Sequence, residues 1–212
     1  MKLYISLNHP QLSDAISCAQ KIEGSCDGFA IGTVLLLKNG MRAVETFRKR
    51  FPNKELLCDC RISDHEQDIV KMVSVTGSDW ATVIAPAHPH IIKEACMNAH
   101  ALGLKIMLEL LGNSGAGQYA LDATELGVDA LIFHLFSPNG AGETLSERWD
   151  LVRKNTKLPV FISTGISKKN IKEVLKLKPD GIIVGGAIVE SEDPQTEAEY
   201  FSHTLLSSKK GS

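Results

Sequence analysis

Long apolar stretches are missing from this sequence of 212 residues. The longest candidates are interrupted by Lys, Glu or His before they reach the roughly 18 apolar residues that a membrane-spanning helix requires. The first residues also lack the apolar core of a secretory signal peptide. We therefore expect neither a membrane span nor secretion.

An excess of charge of one sign is also missing. The sequence has 23 Lys and Arg residues against 25 Asp and Glu residues, which gives a net charge of -2. Without a global positive field, the chain is not suited to bind a nucleic-acid backbone or an anionic membrane surface. With 43% hydrophobic and 23% charged residues, the composition is that of a globular protein. We expect its partners to be small molecules or other proteins.

The cysteines do not form a recognisable framework for disulfides or zinc. There are five, an odd number, and no two of them form a C-x-x-C motif. Cys58 and Cys60 flank Asp59 without a second cysteine pair, which argues against a zinc site. A chain of this length can bury a core without disulfides, so we expect a reducing cytoplasm.

What the sequence does contain is a repeat. Four aspartates, each directly before a short apolar run, are separated by 52, 50 and 51 residues: Asp27, Asp79, Asp129 and Asp180. A second set of apolar runs lies between them, so eight strands are predicted, at 3–6, 28–31, 55–58, 80–85, 104–108, 130–133, 159–162 and 181–184. The runs are apolar throughout instead of alternating, which indicates strands of a parallel sheet buried on both faces.

The segments between the strands have helical patterns. Eight helices are predicted, at 12–22, 41–50, 65–75, 88–102, 116–126, 143–155, 168–175 and 194–205. Eight strands alternating with eight helices indicate an α/β protein with a (β/α)8 TIM barrel, a single domain over residues 1–212. A doubly wound sheet would also alternate, but no G-x-G-x-x-G motif follows the first strand.

In such a barrel, functional residues lie at the carboxyl ends of the strands and in the loops that follow. The candidates at these places are Asn8, Thr33, Asp59, Arg61, Asp64, Glu109, His134, Thr164, Gly165, Gly185 and Gly186. The last four follow the seventh and eighth strands, where many barrels bind phosphate through converging backbone N–H groups. We predict a phosphate site there, with ordinary tight turns as the alternative.

Asp59 and Arg61 form the second candidate site. Their side chains should face one space because side chains along a strand alternate with period two. A fixed positive charge in a poorly solvated cavity can stabilise an enolate-like anion, and a carboxylate can align a sugar hydroxyl. An ion pair that only fills a barrel layer would give the same pattern. Similarly, His134 could be a general acid or base, or a hydrogen-bonded structural histidine.

The chain resembles the orotidine 5'-phosphate decarboxylase superfamily, and within it the 3-hexulose-6-phosphate synthases and 3-keto-L-gulonate-6-phosphate decarboxylases. The matching residues extend along the chain, at 1–3, 31–33, 59–64, 82–83, 134 and 184–185. The family signature D-x-K-x-x-D on the third strand reads D-x-R-x-x-D here. The resemblance implies a homodimer of barrels, a sugar-phosphate substrate, a Mg²⁺ ion and an enediolate intermediate, formed in an aldol or a decarboxylation reaction.

Carried over by position, the resemblance implies a role for each candidate. Arg61 would stabilise the enediolate, and His134 would transfer protons. Asp59 and the partner subunit's Asp64 would orient hydroxyl groups, with Glu109 assisting. Phosphate would bind at Thr164, Gly165, Gly185 and Gly186, and the rest of the substrate at Asn8 and Thr33.

Three positions depart from the family pattern. Asn8 replaces an aspartate, Ala30 a glutamate and Arg61 a lysine. In relatives the glutamate and the first signature aspartate help to hold Mg²⁺, so Ala30 removes an oxygen ligand and leaves Asp59 as the metal candidate. The loss of two acidic groups favours an anionic substrate bound without metal. These changes argue against Mg²⁺ without removing every candidate ligand.

Other hypotheses remain open beside the lyase. The altered metal positions would suit a non-catalytic relative that retains phosphate recognition and acts as a ligand-binding dimer. An isomerase would share the enediolate intermediate. The loop 137–140 also lacks the polar elements that follow the histidine in relatives, which indicates a changed substrate preference.

Overall fold

The computed structural model describes residues 1–111, 115–135 and 144–210 of the chain. Eight parallel strands form a closed barrel in chain order, as predicted. The strands are β1 Lys2–Leu7, β2 Gly28–Ile31, β3 Glu55–Ile62, β4 Trp80–Ile84, β5 Lys105–Leu110, β6 Ala130–His134, β7 Val160–Ser163 and β8 Gly181–Val184. They lie at the predicted apolar runs, but β3 extends four residues beyond its prediction, so Asp59 and Arg61 lie within the strand.

Helices connect the strands and surround the barrel. The described part of the chain contains α1 Leu12–Ile22, α2 Thr33–Asn39, α3 Arg42–Arg50, α4 Glu66–Ser74, α5 Pro89–Ala101, α6 Ala116–Asp122, α7 Leu145–Arg153, α8 Ile171–Lys176, α9 Gly186–Val189 and α10 Pro194–Lys210. The sequence does not predict α2 or α9, because both are too short for a clear helical period. No helix in these described segments has the length and apolar character needed to cross a bilayer.

The apolar residues form two clusters, one on each face of the sheet. The outer faces of the strands pack against the helices. The inner cluster fills the barrel with Tyr4, Ala30, Leu57, Trp80, Met107, Ala130, Ile132, Phe161 and Ile183. Burial on both faces explains why the strand sequences are apolar throughout. Ala30, Leu57, Ile132 and Ile183 also form the floor of a cavity at the carboxyl ends of the strands.

The four repeated aspartates share one structural role. The carboxylate of each accepts a hydrogen bond of 2.7 or 2.8 Å from a backbone N–H near the start of the preceding strand. The donors are Leu3, Leu56, Ile106 and Val160. In return, the N–H of each aspartate donates to the carbonyl of that same residue. The period of about 51 residues therefore marks a repeated pair of hydrogen bonds, here called the clasp. Each clasp joins an odd strand to the next even strand at the amino end of the barrel.

The clasp at Asp79 can be tested by mutation. We expect Asp79→Ala to lower the free energy of unfolding by about 1–3 kcal/mol, because it leaves the Leu56 N–H without its acceptor. The change also removes the ion pair of Asp79 with Arg48, at 2.6 Å. Urea unfolding monitored by circular dichroism would measure the loss. Asp79→Asn keeps an acceptor, so it should lower the free energy of unfolding by less. An Asp79→Ala variant as stable as the parent would contradict the role of the clasp.

Candidate active site

A cavity of about 720 Å³ opens at the carboxyl ends of the strands, lined from all eight of them or the loops that follow. Nine of the eleven candidate residues line it: Asn8, Asp59, Arg61, Glu109, His134, Thr164, Gly165, Gly185 and Gly186. The structure therefore brings these nine predicted residues together around one cavity. Their contacts, which sequence alone does not give, indicate what each can do.

Arg61 and Asp59 face each other in this cavity. The Arg61 Nε atom lies 3.2 Å from the Asp59 Oδ1 atom, as expected from strand alternation. The pairing of β3 with β4 shifts register between Cys58 and Ile62, and Arg61 has a left-handed backbone with φ 49°. Left-handed backbone at a residue other than glycine costs stability and is found mainly at functional sites. The Arg61 N–H donates to the Thr82 hydroxyl at 2.9 Å, which holds this conformation.

Asp59 is held by two threonine hydroxyls. Thr33 donates to Oδ2 at 3.1 Å, and Thr82 donates to Oδ1 at 3.3 Å. Burial and the neighbouring Glu109 carboxylate raise the pKa of Asp59 to about 6, although Arg61 and Thr33 act in the opposite direction. Asp59 can therefore gain or lose a proton near neutral pH.

Glu109 lies at the centre of the polar group, with its side chain only 2% exposed. Its Oε2 atom is 3.5 Å from Arg61 Nε and 3.4 Å from His134 Nε2. Burial alone would raise the pKa of Glu109, but the polar groups of His134 and Asp59 beside it, and the charge of Arg61, outweigh burial and lower it. Of the two carboxyl groups, Asp59 is therefore the one that holds a proton more readily.

His134 contacts the acidic group on one side and the end of β7 on the other. Its Nδ1 atom lies 2.7 Å from the Thr164 hydroxyl. The His134 Nε2 and Glu109 Oε2 atoms are both buried, and neither has a hydrogen bond of good geometry within the described residues. Catalytic hydrogen bonds are often long before substrate binds, so Glu109 is placed to stabilise a positively charged His134 imidazole.

The predicted phosphate site lies at the β7 and β8 side of the cavity. Thr164 and Gly165 both have left-handed backbone, with φ 64° and 77°. The N–H groups of Gly186 and Ala187 are in the first turn of α9 and have no acceptor within the helix. Arg61 supplies the only lysine or arginine among the described lining residues, and the Glu190 carboxylate also lines the cavity. An anion at this end would depend mainly on backbone N–H and hydroxyl donors.

Two predicted site residues do not line the cavity of their own chain. Thr33 begins α2 and lies behind Asp59, to which it donates its hydrogen bond. Asp64 is exposed in the loop between β3 and α4 and does not begin the helix, which starts at Glu66. The loop 137–140 lies outside the described residues.

Sequence reasoning missed several lining residues, of which Thr82 has the clearest part in the site. It is fully buried in β4, a strand whose carboxyl end offers no titratable group. A single hydroxyl residue within the apolar run 80–85 was the available signal. Ser6, Ser163, Ser167, Glu190 and Ser191 also line the cavity and were not predicted.

The cavity residues do not fit a Mg²⁺ ion. Asp59 and Glu109 are both in contact with the guanidinium of Arg61, whose positive charge offsets one of their two negative charges. Ala30 lines the cavity without offering an oxygen ligand. Mg²⁺ demands nearly octahedral coordination by oxygen and is bound through one or two carboxylates, and those of Asp59 and Glu109 are both paired with Arg61. No step of the reaction is therefore assigned to a metal.

Comparison with known proteins identifies a family that matches this chain. The family described as "Orotidine 5'-phosphate decarboxylase / HUMPS family" matches residues 1–201. The 3-hexulose-6-phosphate synthase of Bacillus subtilis (strain 168) is 28% identical over 208 residues, which cover 97% of this chain and 99% of that protein.

Solved structures give the same result. The crystal structure of 3-hexulose-6-phosphate synthase from Salmonella typhimurium has a TM-score of 0.90 and 26% identity, covering 98% of this chain and 100% of that one. The crystal structure of KGPDC from Streptococcus mutans has a TM-score of 0.86 and 26% identity, covering 97% of each of the two chains. A second structure of that KGPDC contains a sugar-phosphate ligand.

Proposed function

Since the chain belongs to the orotidine 5'-phosphate decarboxylase / HUMPS family, we propose that it is a phosphosugar carbon–carbon lyase of the 3-hexulose-6-phosphate synthase type. The observation that carries the proposal is Arg61, fixed between two carboxylates in a cavity that His134 and the glycine turns also line. This arrangement places a permanent positive charge beside groups that can transfer protons.

Reactions of this type pass through an enediolate of a ketose phosphate. In the aldol direction, a base removes a proton from the carbon next to the carbonyl of a pentulose 5-phosphate. The enediolate carbon then attacks formaldehyde, and the new alkoxide takes up a proton. In a decarboxylation, loss of CO₂ from a 3-keto acid gives the same kind of enediolate, which is then protonated on carbon. Both reactions need the same anion to be stabilised.

The cavity residues have separate tasks in this scheme. Arg61 cannot give up a proton at any useful pH, so it stabilises the enediolate by charge alone. His134 exchanges protons with the substrate, and Glu109 stabilises the imidazolium that forms, from 3.4 Å away. Asp59 orients substrate hydroxyl groups. The phosphate group binds at Thr164, Gly165, Gly185 and Gly186, while Asn8 contacts the sugar chain.

We also propose that the active form is a homodimer. Asp64 matches the second aspartate of the family signature, yet it is exposed and does not line the cavity of its own chain. In a symmetric dimer, one surface loop can complete the site of the neighbouring subunit. The partner subunit's Asp64 would then orient a substrate hydroxyl. All five cysteines are free, which fits a reducing cytoplasm.

The family resemblance implies a Mg²⁺ ion, but we expect the reaction of this chain to need no metal ion. We expect turnover of ribulose 5-phosphate with formaldehyde, or of a 3-keto-hexonate 6-phosphate, to persist in excess EDTA because Arg61 is already paired with both carboxylates. Product formation followed by NMR, with EDTA or with added Mg²⁺, would measure it. A strictly Mg²⁺-dependent rate would contradict the metal-free reaction. Absence of turnover with every pentulose and hexulose phosphate would contradict the lyase and favour a ligand-binding role.

A further inference from the structure

The backbone of Thr164 is unusual for its residue type. Its φ of 64° lies in the left-handed region, where a β-branched side chain is strained. Glycine adopts this conformation without strain, and Gly165 with φ 77° follows directly. Such strain persists only where the surroundings impose it, and it is concentrated at functional sites. A threonine at this position therefore requires a reason other than the fold of the turn.

The contact of its hydroxyl supplies that reason. Thr164 Oγ1 lies 2.7 Å from His134 Nδ1, the shortest contact of that imidazole given by the described residues. The opposite ring atom, Nε2, is buried and lies 3.4 Å from Glu109 Oε2. A carboxylate is negatively charged and only accepts hydrogen bonds, so its position 3.4 Å from Nε2 favours the tautomer with the hydrogen on Nε2. In a neutral imidazole, Nδ1 is then the acceptor, and the Thr164 hydroxyl is its donor.

We propose that Thr164 is a positioning residue that holds His134 in the Nε2–H tautomer, with its ring directed at Glu109. The effect of Thr164 on turnover rests on the proposed function. The tautomer of His134 does not depend on the identity of the substrate. Because Nε2 is buried and Thr164 is exposed at the cavity wall, the Nδ1 side of the ring faces the substrate. The hydroxyl keeps Nδ1 without a hydrogen, and its rotation away from the ring frees the Nδ1 lone pair to accept a proton from the substrate.

The role can be tested with three variants of the full-length protein. Thr164→Val keeps the shape and branching but removes the hydroxyl. Thr164→Ser keeps the hydroxyl, and Thr164→Gly removes both the hydroxyl and the strain. The His134 imidazole is observed by ¹⁵N NMR near pH 8 and identified among the 7 histidines by its loss in a His134→Gln variant. If the Val variant folds poorly, the Gly variant still tests the loss of the hydroxyl. Glycine relieves the backbone strain, so the Gly variant should melt at a higher temperature than the parent.

We expect the parent and Thr164→Ser to show a single Nε2–H tautomer, and Thr164→Val and Thr164→Gly to show a mixture. With a turned-over sugar phosphate, kcat should fall about 10- to 100-fold in the Val and Gly variants, with KM nearly unchanged and with recovery in the Ser variant. Identical tautomers in all four proteins would overturn the proposal. A rise in KM with unchanged kcat would also overturn it and leave the Thr164 hydroxyl with a role in phosphate binding only. If no sugar phosphate reacts, the lyase fails while the NMR result still decides the role of Thr164.

Discussion

Arg61→Met is expected to lower kcat on the sugar-phosphate substrate by about 10²–10³-fold, with a much smaller change in KM. The guanidinium is the only lysine or arginine charge among the described cavity residues, and its Nε atom lies 3.2 Å from Asp59 and 3.5 Å from Glu109. Without it, the enediolate would form beside two carboxyl groups. Steady-state kinetics on the parent and the variant would measure the effect. Activity of Arg61→Met within about threefold of the parent would contradict the proposed role.

Arg61→Lys is the matched control for this prediction. It keeps the charge and restores the family signature, but an ammonium cannot reproduce the planar contacts of a guanidinium with two carboxylates. We expect intermediate activity. The cavity would still lack the oxygen ligand that Ala30 removes, so added Mg²⁺ should not raise the rate of the variant to that of the parent.

Mixing two inactive variants tests whether the partner subunit's Asp64 contributes to the site. A dimer of one Arg61→Met chain and one Asp64→Asn chain contains one site with both defects and one intact site. After unfolding and refolding of an equal mixture, about a quarter of the parent activity should return, because half of the dimers are mixed. No recovery would mean that Asp64 acts within its own chain, and an Asp64→Asn variant as active as the parent would mean that Asp64 has no part in the site.

The barrel could be predicted from the sequence because its signals repeat along the chain. Asp27 and its three counterparts accept backbone hydrogen bonds at the amino end, and this task recurs every two strands. The apolar runs that follow them are buried on both faces, which makes them visible without an alignment. By contrast, α2 and α9 have 7 and 4 residues, too few for a periodic signal.

The position of the site could be predicted, but its interactions could not. The barrel rule places Asp59, Glu109 and His134 at one end, yet it gives no distances between strands far apart in sequence. The strained backbones at Arg61 and Thr164 depend on hydrogen bonds to Thr82 and His134, which lie 21 and 30 residues away along the chain. Local sequence preference favours other conformations at both positions, and tertiary contacts override it.

Asp59→Asn is expected to increase the free energy of unfolding by on the order of 2 kcal/mol at pH 8, while turnover is lost. Burial and the Glu109 carboxylate raise the pKa of Asp59 to about 6, so the folded protein binds a proton there more tightly than the unfolded chain does. This contribution favours folding fully at acidic pH. It is lost as the pH rises from about 4 through 6, where Asp59 must ionise in the cavity.

The stability difference between Asp59→Asn and the parent should therefore grow with pH and become nearly constant above about pH 7. Urea unfolding from about pH 4.5 to 8.5 in EDTA would trace it, with Asp14→Asn, an exposed position in α1, as a control that should show little change. A variant less stable than the parent at every pH would mean that Asp59 is a structural partner of Arg61. A variant that is more stable but inactive would mean that the cavity holds the Asp59 carboxylate at a cost to folding, because that carboxylate is needed to orient the substrate hydroxyl groups.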